Sequence, residues 1–106
     1  MAKVMEMARH PRRVLEQIRR FATEDMGKVV YQANLNQTMK GQAVYMAEIW
    51  ECLEHGDIME EYIYFEETGT YAKLVCHTSD GTIYVDVHML KPEGQLRVLF
   101  ATKEED

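Results

Sequence analysis

Cysteine, proline and long apolar runs are all scarce in these 106 residues. The two cysteines, Cys52 and Cys76, lack CxxC spacing. A lone pair of that kind is more often two buried thiols than a disulfide or a metal site, and both read as buried thiols. HxH and HExxH are missing, as are a glycine-rich phosphate loop and a serine elbow. No metal and no cofactor are therefore expected. No apolar run approaches the roughly 20 residues of a membrane span. The N-terminus has no apolar stretch of the secretory kind, so a cytoplasmic protein without membrane contact is expected.

What is present is charge, unevenly spread. Residues 1–28 hold seven Lys/Arg against four Asp/Glu, while residues 29–106 hold five against fourteen, for a net of −6. An acidic body disfavours nonspecific nucleic-acid binding, which needs several cations on phosphates. The N-terminal arginines Arg9, Arg12, Arg13, Arg19 and Arg20 are the local exception, and their plainest reading is a solvated helix face.

The length suits a single domain over 1–106. Residues 1–10 read as a loose N-terminus or a short helix. From Pro11 the apolar spacing of Val14, Leu15, Ile18, Phe21 and Ala22 predicts a helix, with Gly27 as its stop. A second helix is expected over 42–55, where Met46, Ile49, Trp50 and Leu53 form one stripe before Gly56. The stretch between reads as a loop, with room for a short strand or a turn of helix. After Asp57 the period changes to two, and four strands are expected near 58–67, 70–78, 82–90 and 95–103. The fold class is α+β: two or three N-terminal helices packed on one face of a four-stranded antiparallel meander sheet. Residues 104–106 read as a charged tail.

Turns set register, and register sets faces. Two-residue turns at Thr68-Gly69 and Asp80-Gly81 and a four-residue turn at 91–94 put Phe65 opposite Ala72, Cys76 opposite Val85, Met89 opposite Leu96, and Val85 opposite Phe100. All of these fall on one side. The other side then carries Glu60, Tyr62, Tyr64, Glu66, Tyr71, Lys73, Val75, His77, Tyr84, Asp86, His88, Arg97, Leu99 and Lys103. The pairing also places His77 beside Tyr84, Lys73 beside His88, and His88 beside Arg97.

The stretch NLNQTMKGQAVYMAEIWECLEHGDIMEEY, residues 34–62, resembles an uncharacterised bacterial family. Its members read His-Ala-x2-Arg-Met-x2-Arg-Gly-Ile, a helix, then Gly-x-Ile-Ile-Glu. Met39, Val44 and Gly56 fall on its Met, Ile and Gly, and VLFATKE resembles its last strand. That family is distantly similar to toxin ribonucleases of the RelE, BrnT and MqsR kind. The resemblance implies a RelE-like architecture with metal-independent RNA cleavage on the open sheet face, Tyr84 and Lys103 matching a Tyr and a Lys of MqsR. It also departs from the pattern. Asn34 stands in the His position, and Thr38 and Gln42 stand in the Arg positions.

Three functional expectations follow. The first is a non-catalytic interaction module that binds a protein partner or a second copy through Glu60, Tyr62, Tyr64, Tyr71, Lys73 and Asp86. The second is a toxin-type endoribonuclease with His77, Tyr84, His88, Arg97 and Lys103 as its catalytic groups, as the resemblance implies; nucleic acid would then meet the sheet face or the basic N-terminal helix. The third is an inhibitor that mimics nucleic acid with the acidic run from Glu48 to Glu67.

Overall fold

Pro11 opens the first helix, α1, which runs Pro11–Thr23. At that position the missing proline N–H has no intrahelical acceptor to lose. Val14, Ile18 and Ala22 recur every fourth residue and are at most 1% exposed, with Leu15 and Phe21 packed beside them. A short 3-10 turn over 26–28 leads into strand β1, Val29–Tyr31. The computed structural model describes residues 10–32, 44–79, 81–91 and 94–105. The expectations for 1–9 and the resemblance at Asn34, Thr38, Met39 and Gln42 lie outside the described residues.

The second helix, α2, spans Met46–His55, with Tyr45 extended ahead of it. It presents Ile49, Cys52 and Leu53 to the core, while Met46 is exposed. Glu48 holds its start. One carboxylate oxygen accepts the Tyr45 N–H at 3.0 Å, and the other accepts the Lys103 ammonium at 3.2 Å. No helix among the described residues is long and apolar enough to cross a membrane.

The remaining strands are β2 (Asp57–Ile58), β3 (Tyr64–Glu66), β4 (Gly69–Thr78), β5 (Gly81–Leu90) and β6 (Gln95–Glu105). Among the described residues the sheet has six strands in the order β1-β6-β5-β4-β2, with β3 also on β4, and only β1 runs parallel to its neighbour. Among the described residues the fold is thus α+β, with two helices on one face of a mostly antiparallel sheet. It is not the expected four-stranded, RelE-like meander. Two departures explain the difference. Val29, Val30 and Tyr31 pair with Leu96, Arg97 and Val98. The expected first strand is broken by a 3-10 turn at Glu60–Tyr62. β6 continues to Glu105, where a charged tail was expected.

Both two-residue hairpin turns sit one position earlier than the sequence suggests. Thr78 pairs with Gly81, and Glu66 pairs with Gly69. Each partner therefore changes by two residues, which preserves the facing of every side chain. Cys76 meets Ile83 where Val85 was expected, yet both are inward positions. The pairing of β5 with the start of β6 matches expectation, with Met89 opposite Leu96 and Val87 opposite Val98. Leu99 is then an extra residue, a β-bulge, because Asp86 pairs with Phe100 and Val85 with Ala101. Beyond it the facing of β6 is inverted. Phe100 points outward and Lys103 inward, opposite to both expectations.

Gly69 has φ +141°, and a Cβ there would collide with the Met89 carbonyl oxygen. Gly69→Ala should therefore cost on the order of 2–4 kcal/mol in a urea titration. A cost below 1 kcal/mol would contradict this close approach. Glu48→Ala should cost about 2–3 kcal/mol, since it removes both the acceptor of the Tyr45 N–H and the carboxylate beside an ammonium that is 8% exposed. Lys103→Met should cost less, because the half-buried Glu48 carboxylate can still reach water. Equal losses in the two single variants would rule out this asymmetry.

Candidate functional site

The helices cover Ile83, Val85, Val87 and Met89 on β5, and no helix among the described residues covers the opposite, open face of the sheet. Strand alternation then lays its side chains out in rows. The first row crosses four strands as Tyr64, Tyr71, His88 and Arg97. The Tyr71 and His88 rings stack at 4.0 Å between centroids and 3° between planes. The Thr68 hydroxyl lies 3.4 Å from His88 Nε2. His88 is only 5% exposed even though it stands on the open face. Burial lowers its pKa, the Arg97 guanidinium lowers it further, and Glu66 offsets part of this. The imidazole is therefore held neutral at physiological pH.

The second row is Lys73, Asp86 and Phe100. The Lys73 ammonium sits 3.9 Å from Asp86 Oδ1, 4.6 Å from the centre of the Tyr62 ring and 5.8 Å from that of Tyr84. Two aromatic faces and one carboxylate thus hold this cation. Burial raises the Asp86 pKa and Lys73 pulls it partly back. Around this pair Tyr62, Tyr64, Tyr71, Leu99 and Phe100 rim a depression of about 330 Å³. The bulge at Leu99 builds part of this rim, because it leaves Leu99 and Phe100 adjacent on the open side.

The five candidate catalytic groups do not converge. His88 and Arg97 are direct neighbours, and Tyr84 approaches Lys73. His77 lies at the far end of β4, 3.1 Å from the Thr82 hydroxyl. Lys103 is on the helix side with Glu48, a correction to its expected place that follows from the bulge. The expected His77–Tyr84 and Lys73–His88 pairs are replaced by His77–Thr82 and Lys73–Asp86. Of the six candidate binding residues, Tyr62, Tyr64, Tyr71, Lys73 and Asp86 gather at the depression. Glu60 does not; it lies on the 3-10 turn beside Pro11. Sequence reasoning missed Phe100. The run Val98-Leu99-Phe100-Ala101 is apolar throughout and carries no alternation from which its facing could be read. Among the described residues no three His, Cys, Asp or Glu side chains cluster as a metal site.

The depressed His88 pKa makes stability depend on pH. Below the ordinary histidine value of about 6.5 the unfolded chain takes up a proton that the folded chain refuses, so stability falls on acidification towards the folded pKa. Above that value the effect is absent. Thermal unfolding between pH 7.5 and 5.5 should show the midpoint dropping, and His88→Phe, which keeps a stacking ring, should flatten the slope. Asp86, whose raised pKa acts in the opposite sense at lower pH, is controlled by Asp86→Asn. An unchanged slope in His88→Phe would refute the assignment. Comparison with protein families, with characterised proteins and with solved structures yields no match.

Proposed function

We propose that this protein is a non-catalytic interaction module, and that the open face of its sheet binds a segment of another protein. One observation carries the reading. Tyr62, Tyr64 and Phe100 are 40%, 56% and 42% exposed and stand together around one depression. Single exposed aromatics are commonplace, but a cluster on an uncovered sheet face marks a recognition surface. Tyrosine adds contact area at small entropy cost and keeps a hydroxyl for a rim hydrogen bond. Charge on this face is largely matched within itself, with Lys73 against Asp86 and with His88 neutral. A fitting partner segment brings apolar side chains for the depression and backbone polar groups for the tyrosine hydroxyls. A cytoplasmic setting and a bacterial source belong to the same proposal.

The RelE- or MqsR-like endoribonuclease keeps one feature in its favour, the His88–Arg97 contact. It would work without Lys103, which faces the other way, and with a histidine covered by Tyr71. A nucleic-acid mimic would use the carboxylates of 48–67, of which Glu48 is engaged by Lys103.

The test begins with a photo-crosslinking residue at position 64 in the native host. The captured protein is purified, and its affinity for the wild type is compared with that for Tyr64→Ser/Phe100→Ser and for Arg13→Ser on exposed α1. The face variant should lose about 30-fold or more, as loss of an interface hot spot does, and the helix variant little. Equal affinities for the wild type and the face variant would dismiss the proposal. Growth arrest on induced expression, relieved by Arg97→Ala, would replace it with the ribonuclease. Capture of a second copy would make the module a self-associating one.

A further inference from the structure

The end of α2 and two strands separate Cys52 from Cys76 in the chain, yet the fold brings their side chains together. The Gly56 N–H closes α2 on the Cys52 carbonyl at 2.9 Å, and Asp57 then pairs with Val75. Gly56 is wedged between the two sides: a Cβ there would lie 3.0 Å from both Cys52 Sγ and the Val75 carbonyl oxygen. The Cys52 sulfur therefore rests against the part of β4 that carries Cys76. Cys76 packs against the core cluster that contains Cys52, and both are free thiols. Cys52 is fully buried and Cys76 is partly exposed. One thiol can therefore meet a small reagent from solvent while the other stands behind it, an arrangement suited to attack followed by resolution.

We propose that Cys52 and Cys76 form a reversible intramolecular disulfide in the presence of a peroxide. The Cys76 sulfur attacks one peroxide oxygen and the O–O bond breaks. The departing hydroxide takes up the thiol proton and leaves as water, so that Cys76 becomes a sulfenic acid. Cys52 then loses its proton and attacks the Cys76 sulfur. The S–O bond breaks, the S–S bond forms, and a second water leaves. Two thiols lose two electrons and two protons, and one peroxide becomes two waters.

Burial, with Glu48, Glu51 and Asp57 around the Cys76 thiol and Asp57 near Cys52, keeps both thiols protonated at neutral pH. Because the thiolate is the reactive form, the pair is sluggish and oxidises faster as pH rises. Intracellular disulfides of this kind are transient rather than structural. The inference is independent of what the open sheet face binds.

The test uses the wild-type protein. It is treated with hydrogen peroxide at pH 7 and pH 9, unfolded, alkylated with iodoacetamide and weighed. The expected result is two fewer alkyl groups per chain, a cross-linked peptide joining residues 52 and 76, faster reaction at pH 9, and full reversal by dithiothreitol. Cys76→Ser should leave Cys52 alkylatable after the same treatment. Oxygen addition at Cys76 with Cys52 still alkylated would overturn the proposal. So would a Cys76–Cys76 link between two chains, or two intact thiols at peroxide levels that oxidise glutathione. The wild-type masses decide the question even if the serine variant does not fold.

Discussion

Strand β5 is paired along its ten residues on both sides, with β4 and with β6. Everything else in the fold is arranged around that double ladder. A strand so held cannot twist its side chains out of alternation, so Ile83, Val85, Val87 and Met89 must face one way and Tyr84, Asp86 and His88 the other. The apolar set calls for a cover, which α1 and α2 supply. The polar set receives none from the described residues. The open face thus follows from the same backbone pairing that builds the core.

That open face is closer to neutral than its composition suggests. Lys73 is spent on Asp86 and on two tyrosine rings, and Arg97 stands beside an imidazole that burial keeps uncharged. Phosphate recognition needs cations with donors to spare. Aromatic surface with internally matched charge suits a protein segment better, because little charge must be desolvated without compensation on contact. The bulge at Leu99 sharpens the contrast: it turns a phenylalanine outward and takes a lysine away from the same strand.

The sequence was most legible where two signals agreed. α1 is announced by Pro11 together with its apolar stripe, and the inward residues of β4 and β5 by strict alternation. Both two-residue turns were misplaced by one position. Glycine marked each bend, but Gly69 and Gly81 enter the strands as paired residues and do not occupy the turns. The error was harmless to the faces because it moved pairing by an even number. The bulge was harmful because it moved pairing by one within a run of four apolar residues, where nothing betrays the slip. β1 was legible only as room for a short strand, its bounds and its partner being hidden. Three residues are too few to show a period, and its partner lies far along the chain. The stack of Tyr71 on His88 depended on the corrected register and could not precede it.

The parallel pairing of β1 with β6 has a consequence for synthesis. β6 lies between β1 and β5 in space, yet the ribosome makes it after both. Until it is complete, each of those strands presents a row of unpaired backbone groups, and Leu96 and Val98 are missing from the core. A nascent chain at that stage resembles a sheet with its middle withheld, open to pairing with whatever extended segment is nearby. Holding such chains apart, by a chaperone or by swift closure once β6 emerges, is the burden this topology places on the cell.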